Sequence, residues 1–234
     1  MAKCSREELD KGIICASAGN HAQGVALSSQ ILKCEAIIVM PKTTPAIKVN
    51  AVKARGGNVE LVGDSFQEAN AYALERSKNE GMAFIPPYDD PDVIAGQGTI
   101  GVEILRQIPK GKVDAIFIPI GGGGLIAGIA AYVKAIKPNC KIIGVETEDA
   151  NAMHQSLAVG ERVTLDRVGL FADGTAVKQV GKETFNIAKK YVDDVVLVTT
   201  DELCAAIKDI YEDTRAIVEP SGGLGVAGLK KYVQ

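Results

Sequence analysis

Short runs of β-branched and other apolar residues alternate along the chain with longer segments of mixed polarity. The seven apolar runs are 12–16, 36–40, 59–62, 82–85, 113–120, 141–145 and 195–199. Strands that alternate with helix-length segments are typical of α/β proteins whose sheets are largely parallel. We therefore predict an α/β fold with helices packed on both faces of parallel sheets.

Capping residues and glycines predict the ends of several helices between these runs. The segment Thr43-Thr-Pro45 opens one predicted helix, and Asp64-Ser65 opens another that ends near Gly81. Further along, Asp201 is the predicted N-cap of an amphipathic helix over 202–218.

Prolines on both sides of Tyr88-Asp-Asp90 interrupt the alternation. Because proline ends regular elements, this stretch is the predicted crossing between two domains. We therefore predict a smaller α/β domain over 1–91 and a larger α/β domain over 92–234.

The composition favours a small-molecule ligand. The 234 residues are 47% hydrophobic and 24% charged, with a formal net charge of -3, which gives no electrostatic reason to expect nucleic acid or a membrane surface as a partner. No apolar run reaches the length that spans a bilayer, and the polar start of the chain has no signal-peptide core. We expect a cytoplasmic location, or the plastid stroma if an upstream transit peptide was lost.

Cysteine and histidine usage gives no sign of a disulfide framework or a metal site. The 5 cysteines are scattered and form no C-x-x-C pair, so we expect reduced thiols in the core. The chain has two histidines, His21 and His154, which are too few for a histidine-rich metal site. We predict no bound metal, and we place His154 on a surface helix.

Four consecutive glycines, Gly121 to Gly124, lie between a predicted buried strand and an apolar helix-like stretch. Backbone N–H groups that lack flanking side chains can surround an anion, and the helix N-terminus adds partial positive charge. The run therefore predicts a phosphate site rather than a simple turn. Gly122-x-Gly124-x-x-Ala127 also fits a dinucleotide fingerprint, with Glu146 as its acid, so the kind of phosphate stays open here.

Two further polar turns are candidate ligand sites. Ser17-Ala-Gly-Asn-His21 lies between a predicted strand and a helix, where unpaired N–H groups, a hydroxyl and an amide suit a carboxylate. A simply capped helix explains the same residues equally well, and His21 by itself is typical of a packing residue. Glu219-Pro-Ser-Gly-Gly223 places a carboxylate in a second turn, which a helix-ending loop explains nearly as well.

Five motifs occur together and in order: Ser17-Ala-Gly-Asn-His-Ala-Gln-Gly24, Gly96-Gln-Gly-Thr99, Gly121-Gly-Gly-Gly-Leu125, Phe171-Ala-Asp-Gly174 and Glu219-Pro-Ser-Gly222. This combination resembles the catalytic domain of the biosynthetic threonine dehydratases (threonine ammonia-lyases), and the resemblance extends over essentially all of the chain. Those are pyridoxal-phosphate enzymes of fold type II, the two-domain parallel-sheet fold of tryptophan synthase β. The resemblance implies conversion of L-threonine, and possibly serine, in isoleucine biosynthesis by a homo-oligomer.

The resemblance also implies roles for individual residues. It implies a cofactor-phosphate site at Gly121, Gly122, Gly123, Gly124 and Leu125. It implies a substrate-carboxylate site at Ser17, Ala18, Gly19, Asn20 and His21. Asn20 would also hydrogen-bond the ring hydroxyl of pyridoxal phosphate, and Glu219 matches a family acid near that cofactor.

The sequence departs from the family pattern at both ends. The family's Schiff-base lysine lies in a Ser-Phe-Lys-x-Arg-Gly-Ala motif, and its Ser-Gly-Ala-Asn strand lies near the other end; neither occurs in the 234 residues. We therefore assign no catalytic residue and expect a catalytic-domain fragment, truncated at both ends and inactive alone. A second hypothesis is a non-catalytic amino-acid-binding or regulatory homologue, and a third is an NAD-dependent oxidoreductase.

Overall fold

The computed structural model describes residues 1–108 and 113–234. These residues divide into two compact units, Met1–Pro87 and Tyr88–Gln234. Each unit contains its own parallel sheet and its own apolar clusters. The division into a smaller domain over 1–91 with the candidate carboxylate loop and a larger domain over 92–234 with the glycine loop stays a prediction.

The first unit alternates helices with the strands of a four-stranded parallel sheet. Its elements are α1 (Arg6–Asp10), β1 (Ile13–Ala16), α2 (Asn20–Leu32), β2 (Ala36–Met40), α3 (Ala46–Lys53), β3 (Asn58–Leu61), α4 (Phe66–Glu80) and β4 (Ala83–Phe84). The strand order is β3-β2-β1-β4, and Ile13 is in register with Ala36 on one side and Ala83 on the other. Every residue of β1 and β2 is buried, as expected for parallel strands covered on both faces.

The second unit is built around a three-stranded parallel sheet of order β5-β6-β7. Its elements are α5 (Pro91–Gln107), β5 (Ala115–Pro119), α6 (Gly124–Ile136), β6 (Lys141–Thr147), α7 (Ala152–Val159), a 3-10 turn (Asp173–Thr175), α8 (Lys182–Tyr191), β7 (Asp194–Val198), α9 (Thr200–Thr214) and α10 (Pro220–Val233). The central strand β6 is almost wholly buried, since every one of its residues after Lys141 is buried.

Glycines allow the helices of the second unit to pack closely. A Cβ at Gly128 of α6 would overlap the carbonyl oxygen of Ile94 and lie 2.6 Å from the amide nitrogen of Gly98, so α5 and α6 meet backbone to backbone. The Gly96-Gln-Gly-Thr99 motif therefore supplies a helix-packing surface. A Cβ at Gly225 of α10 would lie 3.0 Å from the carbonyl oxygen of Phe117, so α10 approaches β5 equally closely.

The structure confirms the predicted parallel α/β class, all seven strands and both early helices. Ser65 is the N-cap of α4, and Gly81 ends it in the left-handed conformation, φ +70°. The predicted start of α9 at Asp201 is wrong. Thr199 is the N-cap, because its hydroxyl accepts from the amide of Glu202 while the Glu202 carboxylate accepts from the amide of Thr199.

The predicted end of α9 at residue 218 is also wrong, because Arg215 adopts a left-handed conformation, φ 59°, and stops the helix after Thr214. The prediction that the cysteines lie in the core is correct for Cys15 and Cys140 and wrong for Cys204, which is exposed. Burial raises the pKa of the Cys15 thiol to about 12. Among the described residues, no helix is both long and apolar enough to cross a bilayer.

Candidate functional site

The glycine run connects β5 to α6 and leaves the start of that helix uncapped. Gly123 is the N-cap of α6 in a left-handed conformation, φ 94° and ψ -2°, and has no side chain with which to cap the helix. In the described part of the chain, the N–H groups of Gly121 to Gly124 have no acceptor. Unpaired N–H groups and the positive end of a helix dipole together make an anion site.

The packing of neighbouring residues explains why side chains are excluded from this loop. A Cβ at Gly122 would overlap the ring of Tyr88, and a Cβ at Gly123 would lie 2.8 Å from the hydroxyl oxygen of Thr184. A Cβ at Gly121 would lie 3.1 Å from Cα of Thr175. The glycine loop is therefore packed closely against neighbouring residues, and Gly123 and Gly124 are buried.

Helix α8 fixes the orientation of one peptide in the loop. The carbonyl oxygen of Gly122 accepts from the amide of Gly181 at 3.1 Å and from the hydroxyl of Thr184 at 2.7 Å. In a planar trans peptide the C=O and the following N–H point in opposite directions. The N–H of Gly123 therefore points away from α8, which leaves it available to a ligand.

Two other sequence motifs meet beside the glycine loop. The carbonyl oxygen of Gly174 lies 3.5 Å from the Cβ position of Gly121, and the Cβ position of Gly174 lies 2.8 Å from Oγ of Ser221 and 3.2 Å from Oε1 of Glu219. Ser221 is 7% exposed, and its Oγ has no hydrogen-bond partner among the described residues. A buried hydroxyl without a partner is costly, so its position beside an anion site indicates a polar ligand.

The predicted carboxylate site lies in the first unit, where β1 ends and α2 begins. Gly19 is the N-cap of α2 and, like Gly123, has no side chain with which to cap its helix. The hydroxyl of Ser17 accepts from the amide of Gly19 at 3.2 Å, and Asn20 is exposed. The loop thus offers an open helix N-terminus, as the sequence suggested, and the assignment of Ser17, Ala18 and their neighbours to substrate binding stays a prediction.

His21 contributes a structural hydrogen bond to this loop. Its Nε2 donates to the carbonyl oxygen of Ile85 at 3.1 Å. Burial lowers the pKa of the ring below its ordinary value, so the imidazole is neutral at pH 7. The side chain ties α2 to the segment after β4, as expected for a packing residue.

Glu146 does not have the geometry of a ribose-binding acid. It is 1% exposed, and its two carboxylate oxygens accept from the amides of Met153 and His154 at 2.9 and 2.8 Å, which caps α7. Burial raises its pKa to about 7. Glu146 therefore does not support the dinucleotide interpretation, which needs an accessible carboxylate for the ribose. The prediction that His154 lies on a helix is correct, although its Nδ1 is buried rather than at the surface.

Sequence patterns did not point to three residues that shape the site: Tyr88, Asp89 and Thr184. Tyr88 covers the glycine loop, and the carboxylate of Asp89 accepts from the amides of Lys182 and Glu183 at 2.8 Å. Asp89 thereby caps a helix that begins more than 90 residues later in the chain. Local sequence patterns carry no signal for such a contact. The prolines around Tyr88 and Asp89 predicted only a crossing between two domains.

Comparisons with known proteins agree with the geometry of the loop. A family model described as "Pyridoxal-phosphate dependent enzyme" matches residues 1–234. The chain is 60% identical over 232 residues to the protein named threonine dehydratase 1 biosynthetic, chloroplastic, of Solanum lycopersicum, which covers 99% of the chain and 38% of that protein. It is 58% identical over 237 residues to L-threonine dehydratase biosynthetic IlvA of Burkholderia multivorans, which covers 100% of the chain and 46% of that protein.

The chain therefore spans less than half the length of these two curated relatives. Among solved structures, the processed form of threonine deaminase isoform 2 from Solanum lycopersicum superposes with a TM-score of 0.94 at 54% identity. That match covers all of this chain and 68% of the other.

Proposed function

Because the chain belongs to the family of pyridoxal-phosphate dependent enzymes, we propose that it carries the cofactor-phosphate and substrate-carboxylate loops of a threonine ammonia-lyase. Such an enzyme converts L-threonine to 2-oxobutanoate and ammonia in isoleucine biosynthesis. The observation that carries the proposal is the start of α6 at Gly123, where the backbone N–H groups of the glycine loop have no acceptor among the described residues. Identities of 58 to 60% to proteins named threonine dehydratase support the substrate.

The residues around the glycine loop fit pyridoxal phosphate. The N–H groups of Gly121 to Leu125 would hold the phosphate at the positive end of α6. The hydroxyl of Ser221, which has no partner among the described residues, and the carboxylate of Glu219 lie beside Gly174, next to this loop, and would supply polar groups for the rest of the cofactor. When bound, pyridoxal phosphate supplies an electron sink for negative charge at the substrate Cα.

The remaining residues of the chain would bind and orient. The open N-terminus of α2, from Ser17 to His21, would hold the substrate carboxylate, and Asn20 would donate to the ring hydroxyl of the cofactor. Tyr88 covers part of the glycine loop and excludes water from it. The burial of Glu146 argues against a nicotinamide dinucleotide as the alternative guest. A cytoplasmic or plastid location and assembly as a homo-oligomer stay predictions.

Pyridoxine 5'-phosphate tests the proposal without covalent chemistry, because it has an alcohol where pyridoxal phosphate has an aldehyde. We expect the purified chain to bind pyridoxine 5'-phosphate and not pyridoxine, as measured by equilibrium dialysis. We also expect threonine to bind more tightly in the presence of pyridoxine 5'-phosphate. Equal binding of the two pyridoxine forms, or no binding of either, would contradict the proposed function.

A further inference from the structure

Two buried side chains pack against Gly123, where the glycine loop passes into α6. A Cβ at Gly123 would lie 2.9 Å from Cε of Met153 and 2.8 Å from the hydroxyl oxygen of Thr184. Met153 lies in the first turn of α7 and Thr184 in the first turn of α8, and both are completely buried. Met153 therefore contacts the loop at a residue held in the left-handed conformation.

Met153 lies on the side of the loop away from the proposed ligand. The carbonyl oxygen of Gly122 accepts from α8, so the N–H of Gly123 points away from α8. The methyl group of Met153 and the side chain of Thr184 meet at the same point beside Gly123, which places Met153 on the α8 side. Met153 therefore acts on a ligand through the loop rather than by contact.

A buried carboxylate fixes the start of α7. Glu146, near the end of β6, accepts from the amide of Met153 at 2.9 Å and from the amide of His154 at 2.8 Å. It is 1% exposed, and the N-cap residue Asn151 caps no amide of α7 with its side chain. The two bonds to Glu146 therefore hold the backbone from which the Met153 side chain reaches the loop.

We propose that Met153 is a positioning residue for the phosphate site, held against Gly123 by Glu146. The inference rests on the proposed function, since it concerns how well the same loop is prepared for a phosphate. Four glycines have little conformational preference, so an unsupported loop must be ordered when the ligand binds, and that ordering lowers affinity. The methyl group packed behind Gly123 restricts the loop before binding.

A second methionine offers a matched control in the first unit. Met82 is 7% exposed, and its Cε lies 2.8 Å from the Cβ position of Gly12, which is also left-handed, φ +90°. Gly12 precedes β1, whereas the candidate carboxylate loop follows the other end of that strand. Met153→Ala and Met82→Ala therefore remove the same kind of contact at two places. The dissociation constant of pyridoxine 5'-phosphate is measured by equilibrium dialysis for the wild-type chain and both variants.

We expect this dissociation constant to rise about tenfold in Met153→Ala and to stay within about twofold of the wild-type value in Met82→Ala. Met153→Leu keeps most of the side-chain volume and should restore binding. Equal constants in the two alanine variants, or a loss in Met153→Leu as large as in Met153→Ala, overturn the inference.

Circular dichroism reports whether each variant is folded. If Met153→Ala is unfolded, Met153→Val and Met82→Val remove the same terminal atoms and are compared in the same way, with the same expected difference. Failure of the wild-type chain to bind pyridoxine 5'-phosphate would instead contradict the proposed function.

The role of Glu146 has its own test. In Glu146→Gln one carboxylate oxygen becomes an NH2 donor, which cannot accept from an amide. At about pH 8, where the wild-type carboxyl with its pKa of about 7 is ionised, we expect the dissociation constant to rise about threefold in Glu146→Gln. We expect no further rise when Glu146→Gln is added to Met153→Ala. Additive effects in this double-mutant cycle would show that Glu146 does not act through Met153.

Discussion

The hydroxyl of Thr184 donates to the carbonyl oxygen of Gly122 over 2.7 Å. This bond joins the first turn of α8 to the middle of the glycine loop, and Thr184 is completely buried. A loop of four glycines has little conformational preference of its own. Its shape is therefore set by contacts with other elements, and each contact can be tested separately.

Replacement of Thr184 by Val keeps the side-chain shape and removes the hydroxyl. We expect a loss of about 1 kcal/mol in the free energy of unfolding, because Gly122 keeps its second bond from Gly181. We also expect weaker binding of pyridoxine 5'-phosphate, measured by dialysis. Thr99→Val is the control, since Thr99 bonds to the Gly96 carbonyl on an exposed face of α5. Equal affinity in the two variants would show that the bond does not shape the loop.

Gly122→Ala should be poorly tolerated, because the new methyl group would overlap the ring of Tyr88. We expect a loss of about 1–3 kcal/mol in the free energy of unfolding, together with loss of phosphate binding. Tyr88→Ala in the Gly122→Ala background makes room for the methyl group. A double-mutant cycle in urea should therefore give a favourable coupling between the two changes, and strict additivity would contradict the packing argument.

Two glycines of the close-packed helix pair should respond to alanine in opposite ways. In Gly128→Ala the Cβ would overlap the Ile94 carbonyl oxygen, so α5 and α6 must separate, at about 1–3 kcal/mol. Gly96 is exposed in α5 with open space around its Cβ position. Gly96→Ala should therefore stabilise the chain by up to about 1 kcal/mol. The urea midpoints of unfolding measure the stability of both variants. A Gly128→Ala variant as stable as the wild-type chain would contradict the close contact between α5 and α6.

Glu146 should make stability depend on pH. Its pKa is about 7 in the folded chain against an ordinary value near 4.5, so the folded state binds the proton more tightly. The contribution of Glu146 to stability is therefore complete below about pH 4.5 and is lost as pH rises to about 7. As pH rises between these limits, the free energy of unfolding of Glu146→Gln should increase relative to that of the wild-type chain by up to about 3 kcal/mol.

Glu202 is the control for this titration, because its pKa is lowered by the hydrogen bond from the Thr199 amide. Its contribution is present above its ordinary pKa and is lost as pH falls through the lowered value. Glu202→Gln should therefore approach the wild-type chain in stability only on acidification. Thermal melts of both variants across roughly pH 3 to 8 show whether each stability difference rises or falls with pH, and a Glu146→Gln difference that does not change with pH would contradict a raised pKa.

The sequence predicted the strands well because parallel strands buried on both faces appear as continuous apolar runs, as in β1, β2 and β6. It predicted the start of α4 because its cap is local, with Ser65 three residues from its partner. The error at Asp201 has the same origin. Thr199, Thr200 and Asp201 are all good capping residues, and only the reciprocal bonds of Thr199 and Glu202 decide between them.

The sequence by itself determined the α/β class and the glycine turn after β5, since these depend on local periodicity and local turn chemistry, and its five ordered motifs carried the resemblance to one family. The tertiary structure alone decided that Glu146 is buried as a helix cap, that the Ser221 hydroxyl lies beside Gly174 with no partner among the described residues, and that Asp89 occupies the start of α8. Those features depend on hydrogen bonds and contacts between residues far apart in the chain, for which neighbouring residues carry no signal.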